Sequence, residues 1–392
     1  MKRVLRMSVA CASAGLVLTG LSVVQPAAAA PPSALNVIVT LKPGSSPRAA
    51  ATGLLAAAGG RVTHVYSHAL KGFAGSLPTA ALSLLSLDPR VASIEIDRGM
   101  SISATQSPTP SWGIDRTDQR NLPFNNSYSY NSTGAGVKAY IIDTGISIGH
   151  PDFGGRASSG FDAIDGGSAD DCHGHGTHVA GTVGGTAYGV AKGVELVAVR
   201  VLNCEGSGTN AQVIAGIDWV VGNHAAGAPA VANMSLGGSA STAIDSAVQR
   251  MITDGVTVAV AAGNDNANAC NSSPARVAGA LTTGASDTND ARASFSNIGT
   301  CVDLFAPGVN ITSDWLNNGT YTISGTSMAT PHVAGVAAQY LQTNTAASPA
   351  TVSNAVLAKT TKDKITGTAG GCVLFIFCTP ATPNNDLLFS DF

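Results

Sequence analysis

The sequence predicts an α/β protein with a mainly parallel sheet flanked by helices, preceded by a small α+β unit. Three observations predict this. From about Trp112 onward, short β-branched runs alternate with stretches of helical periodicity, the pattern of strands covered on both faces by helices. Between Ala34 and Ile96 the order is strand, helix, strand, strand, helix, strand, which is a small split β-α-β sandwich. The charge also divides. The first 103 residues hold 9 Lys and Arg against 3 Asp and Glu, a balance of +6, and the rest hold 12 against 21, a balance of −9, giving −3 in total. Such an asymmetry marks segments with different tasks.

Composition excludes several classes. Of 392 residues 44% are hydrophobic and only 11% charged, so the chain has the means to bury a core and is not a disordered protein. A net charge of −3 leaves no electrostatic footprint for nucleic acid. The 45 glycines follow no triplet, which excludes collagen.

The elements follow in order. Lys2, Arg3 and Arg6 precede an apolar stretch from Met7 to Val24, then Pro26 and the run Ala27 to Ala30. This reads as a secretory signal peptide over residues 1–29, cut near Ala29. No stop-transfer charges follow, so a membrane anchor is not expected, and the product is expected to be secreted and extracellular. The small unit, residues 30–103, has strands at Ala34–Lys42, Val62–Tyr66, Phe73–Leu77 and Val91–Ile96, with helices at Arg48–Ala58 and Thr79–Ser86. It is ferredoxin-like in its order. Residues 99–113 are small, polar and Pro-bearing, as a linker or processing site is. In the large unit, residues 104–392, strands are expected at Val137–Ile142, Glu195–Val201, Val231–Ser235 and Thr257–Ala262, and helices at Ala211–Asn223 and Thr242–Asp254.

Parallel sheets bind ligands beyond the carboxyl ends of their strands, and three polar strings fall at such lips. Asp143-Thr144-Gly145 follows a strand directly. Alone it also fits a strand-end cap, or half of an aspartic-protease site, which needs two carboxylates. His175 opens HGTHVAG, where small residues let a helix start close to other backbone, and it can serve as a general base. Ser327 lies in GTSMATPHVAG, near a helix start rich in free N–H groups. A simple serine cap explains its position but not the rest of that string.

Together the three are specific. Asp, His and Ser in this chain order form the subtilisin arrangement of the serine triad. With the strings GVAKGVELVAVRVL, SFSNIGTCVDLFAPG and PNNDLLFS, the large unit resembles subtilisin-like serine proteases, proteinase K branch, nearest the aqualysin-like members. The small unit, with VIVTLK, LKGFAGSL and LDPRVASIEID, resembles that family's inhibitory pro-domain and intramolecular chaperone. The resemblance implies a serine endopeptidase with Ser327 as nucleophile, His175 as general base and Asp143 as its orienter. It implies an oxyanion hole from Asn264 and the backbone N–H of Ser327. It places Gly206-Ser207-Gly208 and Ser235-Leu236-Gly237 as two edges that pair with an extended protein or peptide substrate. Ala261, Ala262 and Gly263 would form part of the primary pocket, with broad preference for large apolar or aromatic residues. The precursor would be a zymogen, cut autocatalytically near Ser103–Ala104, with its own pro-domain as temporary inhibitor and the mature enzyme a monomer.

Cys11 falls inside the signal, leaving six cysteines in an oxidising compartment, and an even count favours disulfides. Six allow 15 pairings; neighbour pairing is the simplest, and the resemblance implies Cys172–Cys204 and Cys270–Cys301, with Cys372 and Cys378 in an unmatched insert. A competing reading makes Cys172, His173, His175 and His178 a zinc site. The resemblance implies no catalytic metal, but structural Ca²⁺ at Asp303 with the carbonyls of Ala278 and Ala280, and at Asp115, Asp118 and Gln119, where Asn125 replaces a carboxylate.

Overall fold

The structure is a computed structural model that describes residues 34–68, 70–97, 104–373 and 377–392, without the side chains of 371–373 and 377–379. The expected signal segment and Ser103 lie outside the described residues. The chain divides into two compact units, Met1–Met100 and Ser101–Phe392.

In the first unit β1 (Ala34–Leu41), β2 (Arg61–Tyr66), β3 (Gly72–Pro78) and β4 (Val91–Ile96) form an antiparallel sheet in the order β2-β3-β1-β4. The apolar residues of β1 alternate, so Val37, Val39 and Leu41 turn to one face. There they meet Ala50, Ala51 and Leu55 of α1 (Pro47–Ala57) and Leu85 of α2 (Leu82–Ser86). The expected helix at Thr79–Ser86 is instead a 3-10 turn, Thr79–Ala81, leading into α2.

The second unit opens with β5 (Ala104–Gln106), α3 (Trp112–Thr117) and β6 (Tyr128–Tyr130), the two strands pairing antiparallel. Its centre is seven strands: β7 (Lys138–Asp143), β8 (Ala157–Asp162), β9 (Glu195–Arg200), β10 (Ala230–Met234), β12 (Thr257–Ala261), β14 (Leu281–Ser286) and β15 (Leu304–Pro307). Their order is β15-β14-β12-β10-β7-β9-β8, and every pairing is parallel. Two further pairs are short and antiparallel: β11 (Gly238–Ser239) with β13 (Ser272–Ser273), and β16 (Ile311–Trp315) with β17 (Gly319–Ile323).

Apolar strand runs require cover on both faces, and the helices supply it. α4 (His175–Gly184), α7 (Thr326–Thr343) and α8 (Pro349–Lys359) bury Val179, Val183, Val333, Val336 and Val352 against one face. α5 (Asn210–Asn223) and α6 (Thr242–Asp254) bury Val213, Ile217, Val248 and Met251 against the other. Each such side chain contributes about 1.5–3 kcal/mol by burial. The start of α5 is fixed by a capping box between Thr209 and Gln212, immediately after the predicted edge Gly206–Gly208. A last hairpin, β18 (Gly371–Val373) with β19 (Phe377–Thr379), sets Cys372 opposite Cys378 in backbone register.

Behind α4 lies a buried acid pair that carries a stability prediction. Asp314 of β16 is fully buried, with His150 Nδ1 3.6 Å from its Oδ1 and the Asp152 carboxyl beside it. Burial first, then the neighbouring Asp152, pushes its carboxyl up to about 8. The folded state therefore holds a proton that the unfolded chain releases near pH 4. Stability from this group is present at acid pH and is lost as pH rises toward 8. Asp314→Asn is expected to leave stability at about pH 3, below the unfolded value, nearly unchanged and to raise it at about pH 9 by more than about 1.4 kcal/mol, the value of one pKa unit. Urea unfolding at the two pH values checks this; equal effects at both would refute it.

Candidate active site

Three elements bring Asp143, His175 and Ser327 to one lip of the sheet. Asp143 is the last residue of β7 rather than the first past it, and its side chain is fully buried. His175 is the first residue of α4, and its Nδ1 lies 2.7 Å from Asp143 Oδ1. The same oxygen accepts the N–H of Thr144 at 2.7 Å. Close approach depends on glycine: a Cβ on Gly176 would stand 2.1 Å from the carbonyl of Gly145. Gly174, with φ +107°, caps the helix beneath the ring of Trp315, which a Cβ would meet at 2.4 Å.

The imidazole of His175 is a fifth exposed. Burial lowers its pKa, but the charge and hydrogen bond of Asp143 and the charge of Asp171 outweigh burial, and the net shift is upward. Because Nδ1 donates to Asp143, the other nitrogen is the free base in the neutral form.

Ser327 is the second residue of α7, behind the N-cap Gly325, which offers no side-chain cap. A serine cap therefore does not account for it. Its Oγ donates to the carbonyl of Ser235 at 3.0 Å, so the hydrogen bond to His175 is not made in this conformation. Rotation about one side-chain bond redirects Oγ, and catalytic hydrogen bonds often tighten only when substrate binds. Asn264 follows β12 and its orientation is fixed by a backbone N–H, which can only donate. Its Oδ1 accepts the N–H of Thr326 at 2.8 Å and its hydroxyl at 3.0 Å. The amide nitrogen is thereby left for another acceptor, beside the start of α7.

Two cavities adjoin these residues. The first, about 430 Å³, is lined by Leu236, Gly237, Ala261, Ala262, Gly263, Asn264 and Ser327 among others. Its floor is apolar, with Ala262 and Ala275 buried; Asp265, not anticipated from the sequence, stands exposed among its lining. The second, about 420 Å³, is lined by His175, His173, Glu205 and both predicted edges, Gly206–Gly208 and Ser235–Gly237. Leu236 and Gly237 belong to both.

Disulfides join Cys172 to Cys204 and Cys270 to Cys301. The first removes the thiolate that a zinc cluster would need. His178 also turns away, with Nε2 on the carbonyl of Ile311, and burial pushes it down to about 4. No group of three His, Cys, Asp or Glu side chains able to hold a metal occurs among the described residues. Calcium sites using backbone oxygens are a separate matter, and the donor sets fit. Asp118 keeps one buried oxygen without a partner, and burial and then the charge of Asp115 raise it to about 6. Asn125 instead folds onto Ser127, whose N–H and hydroxyl its side-chain oxygen accepts. Gln119 uses its amide nitrogen on the carbonyls of Asn121 and Pro123. Asp303 is raised to about 6 by burial and accepts the N–H of Thr282, two residues past Ala280. A hard cation relieves such desolvated carboxylates.

Two supporting groups were missed in the sequence. Asp171 accepts the N–H groups of His173, Gly174 and Thr177 and the hydroxyls of Thr144 and Thr177, which holds the entrance to α4. An Asp just ahead of a helix start is the signal that could have found it. Asn233, fully buried in β10, donates to Ser235 Oγ at 2.9 Å, and Ser235 Oγ donates to the Ser327 carbonyl at 2.7 Å. Its signal is a polar residue inside an apolar strand.

Comparison with known proteins follows the same division. Residues 134–375 match the Subtilase family, and residues 36–103 match Peptidase inhibitor I9. An extracellular serine proteinase of Thermus sp. (strain Rt41A) is 60% identical over 302 residues, covering 76% of this chain and 73% of its own length. The alkaline serine exoprotease A of Vibrio alginolyticus is 55% identical over 316 residues, covering 79% of this chain but only 59% of its own length. The crystal structure of a cold adapted subtilisin-like serine proteinase aligns with a TM-score of 0.67 at 52% identity, covering 72% of this chain and 99% of that chain.

Proposed function

The chain belongs to the subtilase family, a subtilisin-like serine proteinase with an I9-type inhibitor unit before it, and from that premise we propose a secreted endopeptidase working through Ser327, His175 and Asp143. The single observation that carries the reading is the 2.7 Å contact between His175 Nδ1 and the fully buried Asp143, at one lip with Ser327. Ser327 Oγ attacks the scissile carbonyl while His175 takes its proton. The Cα-side carbonyl carbon becomes bonded to Oγ, and its oxygen gains the negative charge. His175 gives the proton to the amine nitrogen as the C–N bond breaks and the amine leaves. Water, deprotonated by His175, then attacks the acyl carbon, the C–Oγ bond breaks, and the proton returns to Oγ. Asp143 holds the imidazole in the tautomer that this requires.

Asn264 and the N–H of Ser327 receive the oxyanion. Asn264→Ala is expected to lower kcat by about 10²–10³ with KM little changed, read by initial rates on a chromogenic peptide. A change confined to KM would remove Asn264 from that role. Substrate extends between the edges Gly206–Gly208 and Ser235–Gly237 and places a large apolar or aromatic side chain against Ala261, Ala262 and Gly263. A peptide series varied only at the residue before the cut tests this: Phe, Tyr and Leu should exceed Asp and Gly in kcat/KM.

The first unit acts as a temporary inhibitor and folding aid, released by cleavage near Ser103–Ala104. Calcium is structural, held by Asp115, Asp118 and Gln119 and by Asp303 with the carbonyls of Ala278 and Ala280. Stabilisation by a bound ion grows with its concentration, about 2.7 kcal/mol at one hundred times Kd. EDTA should therefore lower the unfolding temperature and leave the initial rate at 20–25 °C (~room temperature) nearly intact. Immediate loss of activity restored by zinc would support a catalytic metal instead.

A further inference from the structure

The wall of the second cavity carries a charge with no partner. Glu205 is exposed, lines the cavity beside His175, and forms no ion pair among the described residues. Its place is fixed covalently. The Cys172–Cys204 bridge, with Cα atoms 5.0 Å apart, ties together the residues that immediately precede His173 and Glu205. His173 is held in turn: its backbone N–H donates to Asp171 at 2.9 Å, and its Nδ1 accepts the N–H of His175 at 3.3 Å. Its ring thereby faces Gly206, where a Cβ would come within 3.2 Å of Nε2.

Successive side chains of an extended peptide point to opposite faces. A substrate passing Leu236 and Gly237, which border both cavities, sends the residue before the cut into the first. The next residue back then points to the second. A lysine or arginine there can lay its alkyl stem along Leu202 and the His173 ring and carry its charge to the carboxylate.

We propose that Glu205, held beside His173 by the Cys172–Cys204 bridge, is a specificity-determining residue that favours Lys or Arg as the second residue before the cut. This rests on the endopeptidase reading above. The direct probe is a set of peptides with Phe before the cut and Lys, Gln or Glu one position further back. An exposed charge pair is worth about a two- to five-fold preference, so kcat/KM should rank Lys above Gln above Glu. Glu205→Gln should remove the Lys-over-Gln preference, and Glu205→Lys should reverse it. Moving the lysine one more residue back, where it points away from the cavity, should make the preference independent of Glu205; that control separates a local contact from the general field of an acidic enzyme. Equal rates for Lys and Gln in the parent, or a preference untouched by Glu205→Gln, would overturn the proposal. Cleavage of the Phe peptides that persists in Ser327→Ala would instead overturn the endopeptidase reading beneath it.

Discussion

Replacing Ser327 by alanine should lower kcat by about 10⁶-fold while leaving the unfolding temperature close to that of the parent. The size follows from cooperation within the site. Once the nucleophile is gone, His175 has no proton to take, and only binding and the oxyanion donors remain. The side chain lost is small, and its one described hydrogen bond, to the Ser235 carbonyl, leaves that acceptor beside the cleft. The same variant should accumulate as the uncut precursor when produced alone, since the cut near Ser103–Ala104 is assigned to this serine. Trace amounts of the active enzyme added to it should restore the cut in trans. Release of the first unit by Ser327→Ala without such help would exclude autoprocessing.

The second large effect belongs to Asp143→Asn, expected to reduce kcat about 10⁴-fold at neutral pH. The asparagine fills the same space but favours the wrong imidazole tautomer. A pH profile separates this from general damage. In the parent, burial pulls the His175 pKa down, and Asp143 and Asp171 more than compensate. The base is therefore protonated and idle at acid pH, and activity appears as pH rises through a value above that of free imidazole. Asp143→Asn removes the largest opposing charge and leaves burial in place, so the acid limb of kcat/KM should move to lower pH even as the maximum collapses. An acid limb that stays where it was would mean that another group controls it.

Much of this site was legible because short-range rules act where the chemistry sits. Strand-to-lip polar residues mark Asp143, and small residues around His175 and Ser327 mark helix starts pressed against other backbone, as Gly176 against Gly145 shows. The parallel sheet was legible in the apolar strands β7, β9, β10 and β12, the last two buried completely; β8, β14 and β15 were not, being short or interrupted by Ser, Thr and Gly. What escaped depends on residues far apart in sequence. The pairing of Asp314 with Asp152, the hold of Asp171 on Thr144, and the place of Glu205 on the wall beside His173 all arise only when distant segments pack. The side-chain direction of Ser327 escaped for another reason. It is a choice between two acceptors, His175 and the Ser235 carbonyl, and no local propensity decides it.

The central claim is that one serine is activated by one histidine. The direct measurement is the intact mass of the mature protein after phenylmethylsulfonyl fluoride, followed by peptide mapping. The account predicts one sulfonyl group per molecule, on Ser327, in step with the loss of activity, and no adduct in His175→Ala over the same time. A label on any other residue, or full activity with Ser327 modified, would contradict it.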